Sequence, residues 1–359
     1  MLAISDDSFG WGLARLAEGI KRYGARACLQ LAHCGRQRFF GTQPVLAPSA
    51  VPWEALLKRK GPMSIPREIT IDEIHEVVEA FGQAAKRVER AGFDMVEIHG
   101  GHGYLVTGFL SPHTNRRADC YGGDLNARMR FVLEVVRSIR SKVSPGFPVG
   151  IRLSGAEYLE DGITVEETVQ VARELERVGI DYIHISGGNH HTIEYEVAPM
   201  YQPLALHVHA AEAVKRAVRI PVMASGSITG PELGEEILES GKADFISMGR
   251  PFLADPYFAN KTAEGRPEDI CRCIRCNEGC NQRATGLSRG IGCSLNVATG
   301  REHLYAEIAP AAKPKKVMVV GGGPAGMEAA RVAALRGHEV TLYEKTDRLG
   351  GYLVVGSVP

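Results

Sequence analysis

Cys273, Cys276 and Cys280 stand within eight residues, and Cys293 follows after twelve more. Three thiols so spaced wrap one corner of a compact metal centre, and a fourth on a loop can close it. Four thiolates with no histidine nearby suit a [4Fe-4S] cluster. A structural zinc takes the same four ligands, although zinc sites more often show two separated pairs. Cys271 is the odd one out: the x2 spacing to Cys276 favours Cys273 as ligand.

A second group reads His99-Gly-Gly-His102-Gly-Tyr104. Two imidazoles flanking a Gly-Gly turn can converge on one point. There, two N–H donors would hold a substrate carbonyl oxygen and stabilise the enolate formed when hydride adds to the β-carbon. Tyr104 is placed to protonate the α-carbon. The alternatives are a structural role for one histidine, or a His–His metal site, for which the sequence offers no third ligand. A third group is Gly321-Gly-Gly323-Pro-Ala325-Gly326, set between a strand-like Val317–Val320 and a helical Met327–Arg336. A second strand, Glu339–Tyr343, then ends at Glu344, 18 residues after Gly326. Strand, Gly-x-Gly-x-x-Gly, helix, strand, acid is the dinucleotide-binding order. The glycines let the backbone approach a pyrophosphate at a helix N-terminus, and Glu344 can bind ribose hydroxyls.

The elements that must position these residues alternate. Strand-like runs are Ala25–Leu31, Met95–His99, Val149–Leu153, Tyr182–Ser186, Val222–Ser225 and Phe245–Met248. Between them, apolar spacing of three and four predicts helices over Leu13–Arg22, Ile71–Ala91, Asn126–Lys142, Val165–Val178, Ala205–Ala217 and Pro231–Ser240. Thr70-Ile-Asp-Glu73 and Thr164-Val-Glu-Glu167 read as capping boxes. Repeated βα units imply a parallel sheet, and continuous apolar strands fit a (β/α)8 TIM barrel better than an open sheet. The strand C-terminal ends, where such barrels do chemistry, carry Gln30, His33, His99, His102, Arg152, Ser186, Ser225 and Arg250. His33 and His184 read equally well as core histidines. Six of eight βα units are visible, so two are expected upstream of Leu13. The proline-rich Phe39–Pro66 follows the first strand and is expected to overhang the barrel mouth or to form an idle surface loop.

The expected organisation is a barrel over residues 1–262, a cluster segment over 263–308 and a linker over 309–316. The beginning of a nucleotide-binding domain, over 317–359, is too short for a core of its own. Both ends therefore read as truncated. Lys+Arg and Asp+Glu both number 42 in the 359 residues, so there is no net field to recruit nucleic acid or an anionic membrane. Met1–Asp7 has no basic leader, and no stretch reaches the length of an apolar span. Eight cysteines, four in the proposed centre, point to a reducing compartment, read as the cytoplasm. No pattern fixes an oligomeric state.

The segment Glu97-Ile-His99 through Ser111-Pro112-His-Thr114-Asn115-Arg116-Arg-Ala-Asp119-Cys-Tyr121-Gly122-Gly123, with Gln30-Leu-Ala-His33-Cys-Gly35-Arg36, resembles the Old Yellow Enzyme flavin reductases. The cysteine run and the terminal glycine motif point to the multidomain branch that holds 2,4-dienoyl-CoA reductase, bile-acid-inducible NADH:flavin oxidoreductases and trimethylamine dehydrogenase. The resemblance covers nearly the whole chain. It implies an FMN-binding barrel, a [4Fe-4S] segment and a module for FAD and NAD(P)H. It also implies an oxidoreductase in which hydride enters at FAD, electrons pass singly through the cluster, and hydride leaves FMN for an α,β-unsaturated carbonyl or enoyl-CoA type substrate. By resemblance His99, His102 and Tyr104 form the ene-reductase site, Gln30 meets the flavin pyrimidine, and Arg152 faces flavin N1 and O2. Ser225-Gly226 and Gly249-Arg250, on the last two strands, would take the phosphate. The runners-up are an amine dehydrogenase of the trimethylamine dehydrogenase type, whose relatives tend to carry tyrosine at His99, and a non-catalytic fragment that keeps only cluster binding. Cys120 departs from the family, which often carries an acid there. The family strand that contributes further FMN contacts, and in trimethylamine dehydrogenase the covalent flavin cysteine, has no counterpart in the visible pattern.

Overall fold

Short β-branched runs, each leading into a glycine-bearing turn, become the strands of one parallel wall. The computed structural model describes residues 2–38, 44–53, 65–305 and 307–356. It divides into two compact units, residues 1–277 and 278–359.

In the first unit the strands are β1 (Cys28–Leu31), β2 (Leu46–Ala47), β3 (Arg67–Glu68), β4 (Met95–Gly100), β5 (Val149–Ser154), β6 (Tyr182–Ser186), β7 (Val222–Ala224) and β8 (Phe245–Ile246). Six of them pair in parallel in the order β1-β4-β5-β6-β7-β8, the wall of a TIM-type α/β fold. Register aligns Gln30 with Glu97 on one level, and His99 with Arg152 and His184 on the next. Ile98, Ile151 and Ile183 alternate with these polar residues and are fully buried, so the same period of two builds the core and aims the chemistry. Truncating such an isoleucine to alanine costs about 2–5 kcal/mol.

Helices Ile71–Arg90, Leu125–Arg140, Val165–Arg177, Val208–Lys215 and Pro231–Glu239 follow the strands as their spacing predicts. Thr70 and Thr164 each close a complete capping box, with Glu73 and Glu167. The pair β2–β3 was not legible, because two-residue strands carry no period. Of the proline-rich stretch, residues 39–43 and 54–64 lie outside the described residues. The described part is tied down: buried Arg117 donates to the carbonyls of Pro48 (3.0 Å) and Ile69 (2.7 Å), and Trp53 is 1% exposed. No described helix is long and apolar enough to cross a membrane.

In the second unit a wide-turn helix of π type spans Glu278–Gly286. The parallel strands β9 (Lys316–Val320) and β10 (Glu339–Tyr343) flank the helix Pro324–Leu335, the order expected around the glycine motif.

Candidate active site

His99 ends β4, and the turn that follows puts His102 at φ 61, a left-handed conformation. That strained backbone is held on both sides: the His102 N–H donates to Ser154 Oγ (3.0 Å) and its carbonyl accepts from Gln37 Nε2 (2.9 Å). The ring centroids of His99 and His102 lie 5.1 Å apart, and those of His99 and Tyr104 lie 4.9 Å apart. The three side chains predicted to act together therefore stand together.

Their protonation states follow from burial. His99 is pushed down to about 3, first by burial and then by the charge of Arg152. His102 is driven well below the usual histidine value by the same causes. Both are neutral at pH 7, each with one N–H. Burial, then Glu196, push the Tyr104 phenol up to about 12, so it keeps its proton. Ser186 Oγ lies 2.9 Å from an Arg152 guanidinium nitrogen and 2.7 Å from His102 Nε2. A guanidinium only donates, so Ser186 accepts from Arg152, and its hydroxyl holds the His102 ring by a second hydrogen bond at Nε2. His99 Nδ1 and Arg152 Nε are buried and have no hydrogen-bond partner among the described residues. Buried polar atoms ordinarily find partners, and these two are among the described side-chain atoms that lack one.

One level down, Gln30 Nε2 donates to Glu97 Oε1 (2.6 Å), and Glu97 Oε2 faces His184 Nδ1 (3.2 Å). His184 is therefore part of an interior polar pair, and His33 accepts from the Gly35 N–H (3.2 Å).

Ser225, Gly226, Gly249 and Arg250 meet in one cleft of about 250 Å³, which Arg152 and Ser186 also line. Gly226 has φ 109, and a Cβ there would lie 2.8 Å from His207 Cδ2, so no other residue fits without displacement. Arg250 does more than the sequence indicated. One of its nitrogens donates to the Ala198 carbonyl (2.7 Å) and to Asn277 Oδ1 (2.6 Å). Sequence reasoning missed several neighbours. Arg275 lines the cleft and donates to the carbonyls of Met200 (3.0 Å) and Gln202 (2.7 Å). His190 stacks edge-on against Tyr104 (5.9 Å) and Trp53 (5.1 Å), with its Nδ1 3.0 Å from Glu196 Oε2. Only Arg275 had a signal available, its place inside the cysteine run.

In the second unit Gly323 caps the helix Pro324–Leu335, with Ala325 in its first turn. A Cβ on Gly326 would collide with the Gly321 carbonyl oxygen. Glu344 Oε2 accepts the Gly322 N–H (2.7 Å), which ties the acid to the glycine loop. All four cysteines of the run are half-buried, with Cys273 and Cys276 in the first unit and Cys280 and Cys293 in the second. Backbone N–H groups two residues on point at sulfur in two cases, Arg275 to Cys273 Sγ and Leu295 to Cys293 Sγ, both at 3.4 Å. Among the described residues, no group of three or more His, Cys, Asp or Glu is gathered as a metal site.

Residues 2–269 match the NADH:flavin oxidoreductase / NADH oxidase family, and residues 316–359 match the FAD-dependent oxidoreductases. The chain belongs to the NADH:flavin oxidoreductase / NADH oxidase family. That family is one of flavin oxidoreductases with a TIM-type barrel, and the chain falls in the multidomain branch that the sequence resembles. A curated relative, an NADH oxidase of Thermoanaerobacter brockii, is 44% identical over 99% of this chain and 54% of its own length. A solved 2-naphthoyl-CoA reductase, in complex with 2-naphthoyl-CoA, superposes with TM-score 0.90 at 35% identity, over 99% of this chain and 55% of that one. Histamine dehydrogenase from Rhizobium sp. 4-9 superposes with TM-score 0.88 at 31% identity, over 98% and 51%. The chain spans about half the length of these relatives.

Proposed function

We propose that the protein takes part in the NAD(P)H-dependent reduction of a carbon–carbon double bond conjugated to a carbonyl, on a small enone or an enoyl-CoA type thioester. One observation carries this reading: at the end of β4 the rings of His102 and Tyr104 lie 5.1 Å and 4.9 Å from that of His99, two neutral imidazoles and a protonated phenol in one group. FMN fits the chain through the partnerless Arg152 Nε, the cleft lined by Ser225, Gly226, Gly249 and Arg250, and the amide of Gln30. Bound FMN supplies hydride chemistry. The remaining work falls to the side chains. His99 and His102 orient and polarise the substrate carbonyl through N–H donors. Tyr104 holds the proton destined for the α-carbon at its Oη.

Cys273, Cys276, Cys280 and Cys293 are the proposed ligands of a [4Fe-4S] cluster. Their spacing supports this, as do the N–H groups aimed at Cys273 and Cys293 sulfur. Gly321, Gly323, Ala325, Gly326 and Glu344 are the proposed dinucleotide contacts, for FAD or NAD(P)H. A reducing cytoplasmic setting suits the thiols.

The likeness to histamine dehydrogenase favours a second reading, oxidation of an amine. One experiment separates the two. The full chain is loaded with FMN, and amines are offered to its oxidised form. The loaded protein is then reduced anaerobically and offered 2-cyclohexenone and a cinnamoyl thioester. Reoxidation by the unsaturated carbonyls, with no bleaching by histamine or trimethylamine, is the expected result. Bleaching by amines without reoxidation by enones would install the second reading, and failure to retain FMN would remove both.

A further inference from the structure

Glu97 is a buried carboxylate that the chemistry above leaves unused. It lies on β4 two residues before His99, hence on the same face of the strand. Its Oε1 accepts from Gln30 Nε2 at 2.6 Å, and its Oε2 faces His184 Nδ1 at 3.2 Å. Burial alone would raise its pKa. Hydrogen bonds with His184 and Gln30, and the Arg152 charge, overcome that and hold it below the usual glutamate value, so Glu97 is an anion. The other groups around it are neutral: burial lowers His184, burial and the Glu97 charge raise Tyr182, and burial pushes the Cys28 thiol up to about 11. Glu97 and Arg152 are opposed charges on adjacent levels of the wall.

A carboxylate accepts hydrogen bonds and cannot donate them. The half of the Gln30 amide turned toward Glu97 must therefore be its NH2. That fixes the amide flip. The Gln30 oxygen remains as an acceptor, and its second N–H remains as a donor. A flavin pyrimidine edge runs carbonyl, N–H, carbonyl. An amide in this orientation accepts from the ring N–H and donates to a neighbouring carbonyl, whereas the flipped amide would set donor against donor.

We propose that Glu97 is a positioning residue for the flavin: it fixes the orientation in which Gln30 meets the pyrimidine edge, and its charge, opposed to that of Arg152, holds the flavin reduction potential down. This rests on the flavin reading above. Reduced flavin carries negative charge at N1 and O2, so a carboxylate one strand level away disfavours reduction while the guanidinium favours it.

Glu97→Gln removes the charge, keeps the volume and no longer dictates the flip. The full chain is titrated with FMN by flavin fluorescence, and the midpoint potential of the bound flavin is measured against redox dyes. E97Q is expected to bind about tenfold more weakly, the loss of roughly one good hydrogen bond, and to show a higher potential. Gln30→Ala weakens binding to a similar degree. The double variant is expected to bind no more weakly than the poorer single variant, because Glu97 acts on affinity through Gln30. Glu97→Asp keeps the charge but shortens the reach, so it weakens binding without raising the potential. This holds even if E97Q fails to fold. Wild-type affinity and potential in E97Q, additive losses in the double variant, or a raised potential in E97D would each overturn the role of Glu97 alone. A wild-type chain that binds no FMN would overturn the flavin reading, and this role with it.

Discussion

Ser186 Oγ lies 2.7 Å from His102 Nε2 and 2.9 Å from an Arg152 guanidinium nitrogen, so one hydroxyl links the two side chains. Ser186→Ala removes the hydroxyl that holds the His102 ring, so the imidazole can turn away from the substrate carbonyl. Reoxidation of the reduced, FMN-loaded protein by enone should slow about tenfold, the value of one hydrogen bond in the transition state. Two buried donors and acceptors also lose a partner, at a cost of ~1–3 kcal/mol in a denaturant melt. Stopped-flow absorbance and the melt together check both halves.

Tyr104→Phe deletes the proton source and little else, because the ring keeps its contacts with His99 and His190. Enone reduction should fall by roughly 10²–10⁴, the usual worth of a positioned acid. FMN affinity and reoxidation by oxygen, which need no proton at a substrate carbon, should stay at wild-type values. Equal losses with enone and oxygen would show that the phenol acts on the flavin site as a whole.

Acid should destabilise the fold through the two histidines. In the unfolded chain they titrate near 6.5, while in the fold His99 sits at about 3 and His102 is well depressed. Between those values the unfolded chain binds more protons, so stability falls as pH drops below about 6.5 and is flat above it. By pH 5.5 the loss amounts to about 1.4 kcal/mol per histidine. Urea melts at pH 7.5 and 5.5 on wild type and on a His99→Gln/His102→Asn double variant give the comparison. The variant should lose less than wild type, and an equal loss would remove the histidines as the cause.

The cysteine run makes a prediction on composition. The full chain purified without oxygen should contain iron and acid-labile sulfide in a near 1:1 ratio. Cys280→Ser or Cys293→Ser should abolish both and leave FMN titration of the first unit unchanged. Zinc in the metal analysis would restore the structural alternative.

The barrel strands were legible because each is a continuous apolar run ended by a turn, and the capping boxes because they are local and short-range. His99, His102 and Tyr104 were legible together because one turn carries all three. The roles of Ser186, Glu97 and Glu196 were not, because each depends on a partner 80 or more residues away, or on a loop with no period: His102–Ser186 and Glu97–His184 are separated by 84 and 87 residues. Arg250 was read as a phosphate contact from its place after β8, but its bonds to Ala198 and Asn277 are invisible without the coordinates. Spacing grouped the four cysteines, and spacing cannot say how two compact units present them.

The wall is threaded in chain order: β4 returns to β1 past the β2–β3 pair, and β5, β6, β7 and β8 each pair with the strand laid down just before. Parallel pairing is slow when it must close long loops, but from β4 onward each closure spans a single strand-to-strand excursion. The barrel can therefore zip up progressively as the polypeptide leaves the ribosome, each new rung templated by a finished edge. A lesion in β4 should stall that growth early and expose the nascent chain to degradation, whereas the same lesion in β8 should leave a nearly complete, protease-resistant scaffold.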